Sequence, residues 1–347
     1  MFMAMTAMLI ASCSSDDVVS TNTGRAIDFR TSVGTRGAET TTDNITKFWV
    51  TAIDEAGANY FSKQEFTKDG GFFTSSPVYY WPADTLNFFA YSPSETDLGA
   101  TVTIDKDTKN LADFSPATEI ANQKDFVTAT ASGTRAANET NGVELTFSHQ
   151  LSQIEIKAKN TNTGYIYKVV GVRIGKPVSK GTFTFDTNKW TLTTTEKTNY
   201  AVEYATTPRT LAADAATMMG TANDNAMLLP QQLVAWTPET DKVNTNKGAY
   251  IALKIQITTK DGARVYPAKA KGDYDWAAVA INTKWEAGKK YVYTLDFSNG
   301  AGKVDPEKSQ PVDPTDPFKP GEDILGKPIK FTVIVTPWAP ADQPVEM

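Results

Sequence analysis

The chain has one cysteine, Cys13, and one histidine, His149, among its 347 residues. A single cysteine excludes an internal disulfide framework and offers few options for a thiol nucleophile. A single histidine argues against multi-histidine metal sites and against histidine-based acid–base catalysis. Glycine-rich phosphate loops and nucleophile-elbow motifs are also missing from the sequence. The sequence therefore predicts no catalytic residue, no metal site and no cofactor, and it does not indicate an enzyme.

Excess positive charge is missing too, because the formal net charge is −6. Such a balance argues against nucleic acid as a partner. The run that begins at Asp105 starts like a calcium-binding loop, but Asn110 stands where the loop needs glycine and Pro116 where it needs glutamate. We therefore do not expect calcium to bind there.

Long helical periodicity is hard to find, whereas short runs of alternating apolar and polar residues are frequent. Threonine and aromatic residues are abundant, and both types favour pleated strands. The clearest alternating runs cover residues 48–53, 101–104, 165–174, 181–185, 250–257 and 291–297. Turn residues separate these runs. The pattern predicts an all-β protein, with helix only in short pieces such as Leu211 to Met218.

The first residues carry a targeting signal. An apolar run ends in small residues before Cys13, and acidic residues follow the cysteine. An apolar region, small residues before the cut and a thiol at the new N-terminus are what lipoprotein processing needs. We expect residues 1–13 to be a lipoprotein signal, with Cys13 lipidated. The acidic residues resemble the surface-export signal of Bacteroides lipoproteins, which indicates the cell surface at the outer membrane.

The middle of the chain contains a change of phase. Over residues 143–151 the apolar residues fall on odd positions, whereas over residues 154–158 they fall on even positions. A strand changes faces only through a bulge, a break or a transfer to another sheet. We place a domain boundary near residues 148–153, which gives an N-terminal domain over 37–150 and a C-terminal domain over 151–299. His149 shares the inward phase and is expected to be buried and hydrogen-bonded.

A short strand precedes the first domain. Ile27, Phe29 and Val33 alternate like core residues of a strand, and a stretch rich in threonine and glycine follows them. Arg36 lies in that stretch, where a trypsin-like protease could reach it. Cleavage between Arg36 and Gly37 would release residues 14–36 as a propeptide that carries a removable strand.

A second separate strand ends the chain. Residues 300–326 are rich in proline and predict an extended tether that cannot join a central strand. Beyond it, Ile329, Phe331, Val333 and Val335 line one face at period two. Two alternatives are open: the strand could be donated to a neighbouring molecule, or it could complete its own C-terminal domain.

The order of these features resembles the fimbrillin family of the Bacteroidales. The resemblance rests on the lipoprotein signal, the early strand before Thr35–Gly37, and several later segments: residues 79–82, 88–91, 145–151, 288–295 and 329–338. It implies two tandem transthyretin-like Greek-key β-sandwich domains with a C-terminal extension strand.

The resemblance also implies a function and partners. These are a lipoprotein precursor, an arginine-specific protease, and assembly with other pilin subunits into type V pili by strand exchange. The further partners would be outer-membrane lipid, through the anchor, and host or bacterial surface ligands. The removable strand would carry Ile27, Phe29 and Val33, and the donor strand Ile329, Phe331, Val333 and Val335.

An alternative function is a lipid-anchored glycan-binding protein of a polysaccharide-uptake system. Its support is a set of aromatic residues that could form a carbohydrate platform: Tyr79, Tyr80, Trp81, Phe88 and Phe89. Alternating aromatic residues are more often part of a sandwich core. We therefore favour the fimbrial interpretation.

Overall fold

The chain is built almost wholly of β-strands. The structure, a computed structural model, describes residues 26–33, 45–204, 207–220, 225–239, 248–268, 273–308 and 317–338. Within these ranges the α-helices are single turns, α1 (Glu95–Leu98) and α2 (Arg135–Asn138), capped by the side chains of Ser94 and Thr134. The all-β expectation is confirmed. None of the helices described here has the length and apolar character needed to cross a membrane.

The N-terminal part forms a closed barrel. Its strands in chain order are β1 (Phe29–Val33), β2 (Lys47–Asp54), β3 (Asn59–Asp69), β4 (Phe72–Ser75), β5 (Leu86–Ser92), β8 (Val127–Gly133) and β9 (Val143–His149). The order around the barrel is β1-β4-β3-β2-β5-β8-β9. Phenylalanine fills much of its core because alternate residues of each strand point inward.

The C-terminal part contains two sheets that enclose a separate core. One has the order β16-β10-β21-β23, with β17 also paired to β10; these strands are β10 (Ser152–Lys159), β16 (Ala216–Met219), β17 (Ala226–Leu228), β21 (Lys289–Asp296) and β23 (Lys330–Pro337). The other has the order β14-β11-β18-β20-β22, with β15 on β11 and β19 on β18. Its strands are β11 (Tyr165–Val178), β14 (Lys197–Glu203), β15 (Arg209–Thr210), β18 (Tyr250–Thr259), β19 (Arg264–Tyr266), β20 (Asp275–Ala280) and β22 (Lys303–Val304).

A third sheet joins the two parts. It has the order β13-β12-β7-β6, where β6 (Thr101–Ile104) and β7 (Lys109–Phe114) come from the first half of the chain. The strands β12 (Gly181–Thr184) and β13 (Lys189–Leu192) come from the second half. We call the apolar cluster under this sheet the interdomain core; it includes Tyr91, Phe126, Phe183, Leu229 and Trp338. The two parts are thus connected by strand pairing and by shared apolar burial.

The change of phase in the middle of the chain is a transfer between sheets. β9 ends the barrel at His149, and β10 begins at Ser152 in the β10-β21 sheet. The phase change near residues 148–153 is thus a transfer to another sheet rather than a bulge or a break. One pairing repeats across this point, because the first strand of each part lies parallel to a later strand of the same part, β1 to β9 and β10 to β21.

Two local expectations are wrong. The stretch Leu211 to Met218 is not helical; its second half lies in β16, paired with β10, because that pairing outweighs the helix propensity of its alanine and methionine residues. The segment predicted to be a separate tether is packed on the C-terminal part instead over the residues described between 300 and 326, where β22 pairs with β20. Ala301, Val304 and Ile324 are buried in the C-terminal core, since isolated apolar residues in this segment find a place there.

Candidate assembly site: the two terminal strands

The N-terminal strand β1 closes the wall of the barrel. It lies between β4 and β9, antiparallel to the first and parallel to the second. The parallel register runs from Phe29 opposite Val143 to Val33 opposite Phe147. Just before the strand, the backbone N–H of Ile27 donates to the carbonyl of Tyr79 at 2.8 Å. Without β1, the facing edges of β4 and β9 would both lose backbone partners.

Phe29 occupies an aromatic pocket in the barrel core. Its ring is fully buried and meets three other rings edge-on, with centroid distances of 6.0 Å to Phe48, 4.7 Å to Phe66 and 5.1 Å to Phe88. We call this the Phe29 pocket. Ile27 is likewise buried. Burial of one large apolar side chain stabilises a fold by about 1.5–3 kcal/mol, so loss of β1 would expose a costly apolar groove.

The outward side of β1 makes weaker contacts. The guanidinium of Arg30 lies 4.5 Å from the ring centroid of Phe72, and Arg30 itself is exposed. The predicted cleavage position, Arg36 and Gly37, and the predicted lipidation position, Cys13, lie outside the described residues. Of Val33 the structure describes only the backbone, which pairs with Phe147.

The C-terminal strand β23 is docked at the edge of its own domain. It pairs antiparallel with β21 from Asp296 opposite Lys330 to Lys289 opposite Pro337. Within the described residues no strand covers its other edge. Of the two alternatives for this strand, home docking is the arrangement found here.

The predicted inward face of β23 is only partly covered. Ile329, just before the strand, is buried, and Phe331 and Val333 are half-buried against the C-terminal core. Val335, however, is 50% exposed, and Ile334 on the opposite face is 59% exposed. The home sheet therefore leaves apolar surface of this strand in water.

Trp338, directly after β23, anchors the end of the strand between the two parts. It is fully buried in the interdomain core, and its ring stacks on His149 at a centroid distance of 4.4 Å. Nδ1 of His149 lies 2.8 Å from Oδ2 of Asp125, so the histidine is buried and paired as expected. Nε1 of Trp338 has no hydrogen-bond partner within the described residues. An unpaired buried N–H costs about 1–3 kcal/mol, which offsets part of the apolar gain at this anchor.

A second anchor holds the segment that leads to β23. Asp305 and Arg173 form a buried ion pair between this segment and β11. Burial raises the pKa of the Asp305 carboxyl, although the Arg173 guanidinium beside it acts in the opposite direction. The Arg173 guanidinium also lies 4.4 Å from the ring centroid of Trp276. The segment is therefore fixed to the domain well before the terminal strand begins.

The aromatic residues that could have formed a carbohydrate platform belong mainly to the core. Trp81, Phe88 and Phe89 are buried, Tyr79 is half-buried, and Tyr80 is 38% exposed. The turn after Asp105 is closed by its own carboxylate, which accepts hydrogen bonds from the backbone of Asp107 and Thr108. In the part of the chain that the structure describes, no group of three or more His, Cys, Asp or Glu residues is placed to hold a metal ion.

Sequence reasoning missed the anchors of the C-terminal strand. Trp338 is the last residue of the quoted terminal run, yet its contact with His149 joins positions 189 residues apart in number, which no local pattern reveals. Arg173 and Asp305 are likewise far apart, by 132 positions. The only available signal was the scatter of apolar residues in the proline-rich segment, which includes Val304 and Ile324.

Comparisons with known proteins complete the description of this site. A family model described as fimbrillin-like matches residues 34–311. A protein of Parabacteroides distasonis, provisionally assigned to cell adhesion, has a TM-score of 0.52 and 11% identity, with 92% of this chain and 99% of that chain covered. A Bacteroides uniformis protein with the same provisional assignment has a TM-score of 0.47 and 15% identity, with 92% and 99% covered. A fimbrilin of Porphyromonas gingivalis has a TM-score of 0.45 and 12% identity, with 92% of this chain and 98% of that chain covered. At these identities a likeness concerns the fold alone. A search of curated proteins found no match.

Proposed function

Since the chain belongs to the fimbrillin-like family, we propose that it is a structural subunit of a cell-surface fimbrium that serves adhesion. In this proposal the precursor is exported as a lipoprotein anchored through Cys13, cleaved between Arg36 and Gly37, and polymerised by strand exchange. The two parts of the chain act as tandem transthyretin-like domains over 37–150 and 151–299. The parallel pairing of the first strand of each part with a later strand, β1 with β9 and β10 with β21, supports this architecture.

The observation that carries the proposal is the position of β1. A strand near the chain terminus closes the barrel, with Phe29 and Ile27 buried and pairing partners on both sides. Such a strand keeps the precursor complete and monomeric. After cleavage it is held only by non-covalent contacts, so a competing strand can displace it.

Strand exchange of this kind is β-augmentation. Backbone hydrogen bonds along β4 and β9 supply affinity, and pockets for alternate side chains supply specificity. A free edge strand such as β23, with Val335 half exposed at home, is the available donor. Because each end of the subunit offers one half of the interaction, repeated exchange produces a chain of subunits.

A protease experiment tests the proposal. The purified precursor, carrying Cys13→Ser to avoid lipid, is treated with an arginine-specific protease and examined by N-terminal sequencing and electrophoresis. We expect a new N-terminus at Gly37 followed by a ladder of polymers. The matched control Arg36→Gln should remain uncut at this position and monomeric. Polymers that form equally well from Arg36→Gln would contradict the proposed processing step.

A labelling experiment tests the anchor separately. Cells that express the chain are grown with a fatty-acid analogue, and label on the protein is compared between the wild type and Cys13→Ala. We expect label only on the wild type. Equal labelling of both would sink the proposed lipidation while leaving polymerisation untouched.

A further inference from the structure

We propose that the assembly partner of this chain is a second copy of itself, joined in one register that places Phe331 of the donor in the Phe29 pocket of the acceptor. The inference rests on the proposed function, since it requires strand exchange. It goes further by naming the partner, the register and the residue that fixes the register.

The two terminal segments match on one face only. Positions 27, 29, 31 and 33 are Ile, Phe, Thr and Val, and positions 329, 331, 333 and 335 are Ile, Phe, Val and Val. The intervening positions 28, 30 and 32 are Asp, Arg and Ser, whereas 330, 332 and 334 are Lys, Thr and Ile. In β1 the odd positions include the buried Ile27 and Phe29, while Arg30 is exposed. The match is therefore confined to the face that the barrel contacts.

The Phe29 pocket distinguishes between registers. It encloses Phe29 completely with the rings of Phe48, Phe66 and Phe88. A slip by one residue would turn Lys330 or Thr332 of the donor inward, because the side-chain period of a strand is two. A slip by two residues would place Ile329 or Val333 in a space shaped for a benzyl group and leave it badly filled. Only the register with Phe331 in the pocket fits all inward positions.

The backbone register of β1 against β9 then predicts which residues of β9 lie opposite the donor strand. Phe29 lies opposite Val143, and Arg30 lies opposite Glu144. In the acceptor, Phe331 would lie opposite Val143, and Thr332 opposite Glu144. In the uncut chain, by contrast, Thr332 lies opposite Thr294 on β21. The pair Thr332 and Glu144 therefore reports exchange between copies.

The consequence concerns the role of the subunit. A chain whose own C-terminal strand fits its own barrel can add to itself without limit. This assigns it to the repeating part of a fimbrium, with one subunit kind in succession, rather than to a terminal position.

Disulfide trapping between two separately purified chains tests the inference. Both carry Cys13→Ser; one also carries Thr332→Cys and the other Glu144→Cys, and both substituted positions are exposed. The chains are cut with the arginine-specific protease, mixed and mildly oxidised. Lys330→Cys and Ile334→Cys, on the same exposed face, replace Thr332→Cys as matched controls. Melting of each uncut variant confirms that the fold is retained.

We expect the Thr332→Cys chain to cross-link to the Glu144→Cys chain at least about tenfold more than either control, because a disulfide needs Cα atoms within about 7 Å. Stronger cross-linking by Lys330→Cys or Ile334→Cys would overturn the proposed register. It would leave the proposed function intact, because the chains would still polymerise. Polymers that form only when a different subunit is added would overturn the self-partner claim in the same way. Failure to polymerise with any subunit would instead contradict the proposed function itself.

Discussion

The two terminal strands are held in opposite ways. β1 pairs on both sides inside a closed barrel and buries Phe29 completely. Among the described strands, β23 pairs with β21 alone, and it leaves Ile334 59% and Val335 50% exposed. A strand paired on both sides is still held when one neighbour separates, whereas an edge strand can separate from its single neighbour. In the proposed strand exchange, the N-terminal strand would therefore need a chain cut and a competitor before it leaves, whereas the C-terminal strand would need only to detach.

Contacts of the residues that flank β23, Ile329 and Trp338, oppose detachment of the strand. Ile329 packs on Gly302, whose φ is +75°. A Cβ atom at position 302 would lie 2.6 Å from Cδ1 of Ile329, so only glycine fits there. Trp338 lies between the two parts of the molecule. Because the indole N–H of Trp338 has no hydrogen-bond partner in the described part of the chain, this anchor is weaker than its buried area alone implies.

The largest effect should come from truncating the buried side chain of β1. Phe29→Ala removes a fully enclosed ring and should lower the free energy of unfolding by about 3–5 kcal/mol. Arg30→Ala, its neighbour on the outward face, loses a cation–π contact worth about 0.5–1 kcal/mol. Urea unfolding of the uncut Cys13→Ser chain measures both. Equal effects of the two changes would break the proposed distinction between the inner and outer faces of β1.

A local effect of similar size should follow removal of the anchor after β23. Trp338→Ala should lower the free energy of β23 opening by about 3 kcal/mol, since a large buried ring is lost. Hydrogen exchange should then accelerate over residues 330–337 while β1 remains protected. Thr336→Ala, exposed on the same strand, serves as the control and should change stability by less than about 0.5 kcal/mol. Protection of β23 that survives Trp338→Ala would show that the strand is held by its ladder instead.

A smaller effect should distinguish the corresponding phenylalanines of the two strands. Phe331 is half-buried at home, so Phe331→Ala should cost the uncut precursor roughly 1 kcal/mol, well below the cost of Phe29→Ala. The same change should nevertheless abolish polymerisation after cleavage, because the Phe29 pocket would stay unfilled. Thr332→Ala is the matched control and should polymerise normally. Normal polymers from Phe331→Ala would show that strand exchange does not depend on the Phe331 side chain.

The smallest effect concerns alkaline pH, because the part that docks β23 buries tyrosines. Burial raises the pKa of Tyr293 on β21, and that of Tyr167 on β11, to about 12. Their folded pKa exceeds the unfolded value near 10, so this contribution is complete below about pH 10 and is lost as pH rises towards about 12. At about pH 11 each of these two tyrosines should lower the free energy of unfolding by roughly 1 kcal/mol.

Urea unfolding at about pH 8 and pH 11 measures this loss. Tyr293→Phe should reduce the loss by roughly 1 kcal/mol. An unchanged loss in Tyr293→Phe would contradict the assignment to this residue.

Much of the fold follows from local patterns in the sequence. Alternation at Ile27 and Phe29, and again at Ile329 to Val335, predicted both terminal strands because side-chain period fixes strand faces. The shift from odd to even phase between Phe147 and Ile154 predicted a bulge, a break or a transfer to another sheet, and the structure shows the transfer. The buried state of His149 followed from the same phase.

The remainder depends on contacts between distant residues. β7 pairs with β12, with Leu111 opposite Phe183, and no local signal identifies a partner so far along the chain. The docking of the proline-rich segment depends on the Arg173 and Asp305 pair, whose members look like ordinary surface charges in the sequence. In the candidate site, the strands could be predicted, but the Trp338 anchor and the choice between the two alternatives for β23 could not.

The most direct test of the account asks what occupies the β1 position in the finished polymer. Polymers formed after cleavage are washed, then analysed by mass spectrometry for the released fragment and by hydrogen exchange over β9. The account predicts that residues 14–36 are absent while amides of Val143–His149 stay as protected as in the precursor, because a donor strand has replaced β1. Retention of the fragment at one copy per subunit, or rapid exchange along β9, would contradict it.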